Sequence, residues 1–139
     1  MNLPELLVDL TTHYNALIRS AASQLNLTVS QALHLISIPH DGIPMSKLAH
    51  KLGLDASTLT RNVQKLEKMG LVKQFSGSYD KRVQNTVLTS RGDEIVEKIE
   101  ALLLCTNNLI MEQIDLEGQE TVYDVLEKLV WAIDCVREK

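Results

Sequence analysis

The stretch SKLAHKLGLDASTLTRNVQKLEKMGLVKQFSGSYDKRVQNTVLTSR, residues 46–91, reads as two short helices, a tight turn between them and a β-hairpin. Leu48, Ala49 and Leu52 recur at helical spacing, and Gly53 follows where helices commonly end in a left-handed residue. Asp55 is then placed to cap a second helix, whose Leu59, Val63 and Leu66 form one apolar stripe and which Gly70 closes. Two short helices joined in this way predict a helix-turn-helix. Downstream, Leu71–Phe75 and Val83–Leu88 alternate as strands do, with the turn cluster Ser76-Gly77-Ser78-Tyr79-Asp80 between them. A hairpin wing beside the second helix is therefore expected.

A helix turns about 100° per residue, so with the stripe inward Ser57, Arg61, Gln64 and Lys68 face outward, flanked by Thr60 and Lys65. Hydroxyl, amide and guanidinium groups hydrogen-bond base edges and phosphates, and a recognition helix does so mainly from its N-terminal residues. A merely solvated face carries the same residue types, and the helix taken alone does not choose between the two. The hairpin tips the balance, because Lys81 and Arg82 at its tip suit neighbouring phosphates or a narrow minor groove. The expected base readers are Ser57, Thr58, Thr60, Arg61 and Gln64, and the expected phosphate contacts are Lys47, Lys65 and Lys68.

In this order, LAHKLGLDASTLTRNVQKLEKMGLV, Asp80-Lys81-Arg82 and Val87-Leu88-Thr89-Ser90-Arg91-Gly92 resemble the MarR family of bacterial transcription regulators. The match includes the Ser/Thr-rich start of the recognition helix, its Leu-Glu-x-x-Gly-Leu-Val exit, the Asp-x-Arg of the wing and the Leu-Thr-x-x-Gly that opens the next helix. Outside this region only general helical character is shared. The resemblance implies a winged helix-turn-helix dimer held by N- and C-terminal helices, with Arg82 as the wing arginine. It also implies a small effector between the dimerising helices and the winged module. The polar groups that could line such a pocket are His13, Tyr14 and Arg19 on the first helix and His34 on the second, Arg19 being suited to the carboxylate of an aromatic acid. Tyr14 lies on the apolar stripe as a core residue would, and a histidine on a buried helix is more often simply hydrogen-bonded. Zinc-binding members use histidines on the helix after the wing, where this chain has none, and peroxide-sensing members use a cysteine near the start of the first helix, whereas residues 1–104 here hold none.

A net charge of -4 and a pI near 5.5 argue at first sight against a polyanionic partner. The average hides the distribution: residues 46–91 hold nine basic against three acidic residues, a net +6, and the remainder holds five against fifteen, a net -10. A positive module in an acidic frame steers DNA toward one face and repels it from the others.

At 139 residues and 45% hydrophobic content, one domain with its own core is expected, small enough that a partner subunit could matter. Pro4 suits the first turn of a long helix carrying Leu7, Leu10, Tyr14, Leu17, Ala21 and Leu25. Thr28 caps a second, ending near Pro39-His40-Asp41-Gly42, after which Ile43 could add a short strand to the wing. Thr89 or Ser90 opens a further long helix, broken near Asp115–Gly118, and a last one runs roughly over 119–137. These long helices have more apolar surface than one bundle obviously covers and invite pairing with a second copy, an intramolecular bundle being the other solution. Residues 28–89 are thus expected to form the DNA-binding module, and residues 1–27 and 90–139 the dimerisation helices.

Cys105 and Cys135 have no CxxC partner and read as buried free thiols, inert unless one is exposed and acidic. The acidic N-terminus is unlike a signal peptide and no run approaches the roughly 18 apolar residues of a membrane span, so a cytoplasmic protein is expected. No phosphate-binding loop, GxGxxG, HExxH or nucleophile triad stands out, and neither a cofactor nor a metal is called for. The expectation is a non-enzymatic, mainly α fold with a small β-hairpin wing: a homodimeric repressor of a palindromic operator, tuned by a small aromatic or carboxylate effector. The alternative is a winged helix used as a protein-interaction module, which would need neither Arg61 nor Arg82.

Overall fold

Two capping boxes set the first two helices. The Asn2 side chain accepts the Glu5 backbone N–H at 3.0 Å while Glu5 returns a bond to the Asn2 N–H, opening α1 (Leu3–Ser23). Thr28 and Gln31 repeat the exchange at α2 (Val29–Ile36). The first helix stops short of Leu25, because Asn26 takes a left-handed φ of 58° and the Leu27 N–H turns back to the Ala22 carbonyl at 2.9 Å. The chain, described over all 139 residues by a computed structural model, continues through β1 (Ile43–Pro44), α3 (Met45–Leu52), α4 (Ala56–Lys68), β2 (Val72–Ser76), β3 (Gln84–Leu88), α5 (Ser90–Glu112) and α6 (Leu116–Arg137). The three strands form one antiparallel sheet in the order β1-β3-β2, with Ile43 opposite Thr86 and Val72 opposite Leu88.

Contacts divide the chain into two compact units, Met1–Leu103 and Leu104–Lys139. The first holds the core. Leu48 of α3, Leu59, Val63 and Leu66 of α4, and Leu35 of α2 are almost completely buried together with Ile99 of α5. Each such side chain stabilises the fold by about 1.5–3 kcal/mol relative to exposure. Gly53 takes φ 69° and ends α3, with the Leu54 N–H bonded to the Ala49 carbonyl; this tight turn fixes where α4 starts.

The Leu88-Thr89-x-x-Gly92 sequence has a physical reason here. Thr89 caps α5, its hydroxyl oxygen accepting the Gly92 N–H at 3.1 Å while its proton goes to the Gly70 carbonyl at 2.7 Å. Gly92 lets the helix press against β2: a Cβ on it would sit 2.0 Å from the Leu71 carbonyl oxygen. The end of α4, the start of β2 and the first turn of α5 are therefore joined through residues 70, 71, 89 and 92.

The second unit is the end of α5, from Leu104, followed by α6. Asp115 accepts the Gly118 N–H and opens α6 at Leu116, three residues before the sequence suggested. Gln119 donates from its side-chain amide to the Met111 and Ile114 carbonyls, closing the end of α5. No residue of this unit is buried within the single chain. Cys105 is exposed and Cys135 half-buried, which corrects the expectation of two buried thiols; both lie on helices whose apolar faces the chain itself leaves open. No helix is long and apolar enough to cross a membrane.

Candidate nucleic-acid interface

Asp55 organises the start of α4. One carboxylate oxygen accepts the Thr58 N–H at 2.7 Å and the Ser57 hydroxyl at 2.9 Å. These bonds, the Thr58 N–H first and the Ser57 hydroxyl next, hold the carboxyl below the usual aspartate range, so it is ionised at neutral pH. Beyond the cap, Thr60 donates its hydroxyl proton to the Ala56 carbonyl at 2.8 Å, and Arg61 reaches the Thr58 oxygen in a long contact of 3.5 Å. Burial of Leu59, Val63 and Leu66 leaves Ser57, Thr60, Arg61, Gln64, Lys65 and Lys68 exposed, as the helical stripe requires, and Thr58 half-buried. Lys47 is exposed on α3.

Two side chains that the sequence did not single out hold this helix in place. Asn62, on the flank of α4, lies 3.2 Å from His34 Nε2, and His34 is itself 2% exposed. Because His34 Nδ1 sits 2.6 Å from the Ser30 carbonyl, which can only accept, the ring proton is on Nδ1 and the Asn62 amide donates to Nε2. At the other end the Glu67 carboxylate accepts the Gln74 N–H at 3.1 Å and ties α4 to β2. Asn62 is half-buried beside the apolar stripe, and its partner, 28 positions away, is visible only in the fold.

In the wing, Gly77 donates its N–H to the Val83 carbonyl and Val83 returns its own to Asp80, so Val83 belongs to the turn and β3 begins at Gln84. Asp80 accepts the Arg82 backbone N–H at 3.0 Å and its Nε at 3.2 Å. The guanidinium first, and the backbone N–H after it, hold the Asp80 carboxyl below its ordinary range. The Arg82 side chain is nonetheless 93% exposed. An exposed ion pair of this kind adds little stability; its effect is to orient a cation that still faces solvent. Lys81 beside it is also exposed.

Of the four effector-pocket residues, the fold gathers two. Arg19 and His34 line an open cavity of about 630 Å³ with Thr28, Val29, Ser30, Leu33, Leu52 and Leu54. His13 is not among them: it is exposed, its Nδ1 turned 2.8 Å from the Asp9 carbonyl one helical turn back. Tyr14 packs against the core cluster, as its place on the apolar stripe suggests, and does not line the cavity. No group of three or more histidine, cysteine or carboxylate side chains is placed to hold a metal ion.

Residues 25–83, which contain the helix-turn-helix and most of the wing, match the model of the MarR family. Among solved structures, a crystal structure of MarR superposes with a TM-score of 0.85 at 22% identity, over 99% of this chain and 95% of the other. A mutant MarR from E. coli complexed with operator DNA gives 0.77 at 25% identity over 91% and 92%. The S. aureus MepR-DNA complex gives 0.76 at 19% over 95% and 98%. The MarR family's model thus falls on the winged module, and the fold seen in MarR and MepR extends over nearly all of this chain's length.

Proposed function

We propose that this protein is a cytoplasmic, sequence-specific DNA-binding transcription regulator that works as a homodimer and represses from a palindromic operator. The observation that carries the reading is the exposed row Ser57, Thr60, Arg61 and Gln64 on α4, tied to a wing whose Arg82 is oriented by Asp80, within a stretch of net charge +6. Lys47, Lys65, Lys68 and Lys81 supply phosphate contacts around it. DNA bound to MepR and operator DNA bound to a mutant MarR, both similar to this chain, support the same reading.

Dimerisation rests on what one chain leaves uncovered. Leu3, Leu6 and Leu10 of α1 are at least half exposed, and so are Leu109 of α5 and Leu116, Tyr123, Val130, Trp131 and Val136 of α6. Apolar surface on this scale marks an interface on a soluble chain. Residues 1–27 and 90–139 are the dimerisation segments in this reading, and residues 28–89 the DNA-binding module.

The cavity at Arg19 and His34 is the effector site: apolar walls for a small ring and a guanidinium for a carboxylate. His34 connects it to α4 through Asn62, so a ligand that binds better to one placement of that histidine biases the recognition helix.

The test is an anisotropy titration against the DNA upstream of the protein's own gene in the presence of bulk competitor, followed by footprinting. Specific binding with two protected half-sites about 10 base pairs apart, or a multiple of that, is expected. Affinity no better than for competitor DNA overturns the reading in favour of an interaction module.

A further inference from the structure

A hydroxyl has one proton and two acceptor positions, so where its proton is committed decides what it can read. Ser57 is exposed in the first turn of α4, and its proton lies on the ionised Asp55 carboxylate at 2.9 Å. A hydrogen bond to a charged acceptor is roughly twice as strong as a neutral one. Turning that proton toward a base carbonyl would exchange the stronger bond for the weaker. Asp55 cannot follow by donating, since it is held ionised by the Thr58 N–H as well. Ser57 therefore presents only lone pairs outward. Thr60 is held in the same sense but less firmly, its partner being the neutral Ala56 carbonyl.

In the major groove, adenine and cytosine offer an exocyclic amino group, while guanine and thymine offer carbonyl oxygens. We propose that Ser57 is a specificity-determining residue that selects an amino-bearing base, adenine or cytosine, on the strand it faces, and that Asp55 is the positioning residue that fixes it as an acceptor. The inference rests on the reading of α4 as the DNA-reading helix. It divides the labour on that helix: Ser57 accepts, Arg61 can only donate and suits guanine, and Gln64 does both and suits adenine.

Selection of bound sites from a randomised duplex library tests this, with full-length wild type, Ser57→Ala, Ser57→Thr and Asp55→Asn compared position by position. Wild type should enrich adenine or cytosine over guanine and thymine at one position of each half-site. That ratio should fall about fivefold or more in Ser57→Ala, the loss of one hydrogen bond to a base, and persist in Ser57→Thr. In Asp55→Asn the helix remains capped, since asparagine caps as well as aspartate, but the neutral amide holds the serine proton less firmly and can itself donate to the serine oxygen. Guanine and thymine should then gain at that position alone. Removing a negative charge raises affinity for all sequences, which does not move a ratio at one position. Three results overturn the proposal: a position lost in Ser57→Ala that was guanine or thymine in wild type, no position changed by Ser57→Ala, or an unaltered ratio in Asp55→Asn. Wild type enriching no sequence at all overturns the DNA-reading function itself, and this inference with it.

Discussion

Residues 1–103 and residues 104–139 are built from the same kinds of residue and reach opposite ends. In the first unit, Leu35, Leu48, Leu59, Leu66 and Ile99 are nearly inaccessible, and the buried polar residues His34 and Thr86 both make hydrogen bonds. In the second, two long helices carry Leu109, Leu116, Val130 and Trp131 and bury nothing. The difference lies in connectivity rather than composition. The winged module folds three helices and a sheet around one centre, whereas the end of α5 and α6 bury no residue and leave their apolar faces for something else to cover. The first unit has a closed core of its own, although Leu3, Leu6 and Leu10 of α1 stay exposed; the second has none and is covered only by further apolar surface, which the proposed dimer provides.

Deleting residues 119–139 tests that comparison most severely. It removes nearly all of α6, and with it the exposed Tyr123, Val130, Trp131 and Val136. The expected outcome is a monomer or an unstable protein that no longer protects two half-sites, checked by sedimentation and footprinting. A full-length chain that sediments as a monomer at micromolar concentration would remove the basis for the contrast.

Gly92→Ala attacks the other side. Its Cβ would lie 2.0 Å from the backbone oxygen of Leu71, so the first turn of α5 must back away from β2. A loss of about 1–3 kcal/mol or more is expected from overpacking at backbone, read from the midpoint of urea unfolding at fixed protein concentration. A shift in dimer dissociation with no loss in the module would mean that the glycine serves assembly instead.

What the sequence made legible follows the same line. Apolar stripes and caps act over three or four residues, so the ends of α2 and the stripe on α4 could be read directly from Thr28, Asp55, Leu59, Val63 and Leu66. The exposed row on α4 follows from the same periodicity. Features that depend on a distant partner were out of reach. The bond between His34 and Asn62 joins helices 28 positions apart, and nothing local marks it. His13 is a further case, since the bond of its ring to the Asp9 carbonyl of its own helix is not something the apolar stripe predicts. Cys105 and Cys135 are not buried as their apolar helices suggest, because in the second unit placement on such a helix does not bring burial within the chain.

Arg82→Ala should weaken operator binding by about 1–3 kcal/mol while leaving the unfolding midpoint nearly unchanged, since the pair with Asp80 is exposed. Titrations at several salt concentrations separate this from Lys65→Ala, which should chiefly reduce the salt slope, by roughly one unit or less. Equal loss of stability and affinity in Arg82→Ala would show that the wing depends on the pair to fold.

The smallest effect expected is a pH dependence at the start of α4. Asp55 has its carboxyl depressed in the folded state by the Thr58 N–H and the Ser57 hydroxyl, from an ordinary value of 3.8. A group whose folded pKa is depressed binds fewer protons folded than unfolded, so its contribution to stability is fully present above the unfolded value and is lost as pH falls through the folded one. Asn at the same position can make the same cap without the charge, so the difference between wild type and Asp55→Asn isolates the carboxylate's favourable interaction with the N-terminus of the helix. That difference should favour wild type and stay constant from neutral pH down to about pH 5, then shrink and vanish in more acid solution. Added salt should reduce it throughout, because the site is open to solvent. Urea midpoints of the two proteins across this range provide the measurement. A difference that grows as the pH falls would have the wrong sign for an ionised cap, and would mean that Asp55 is not the acceptor on which Ser57 and Thr58 depend.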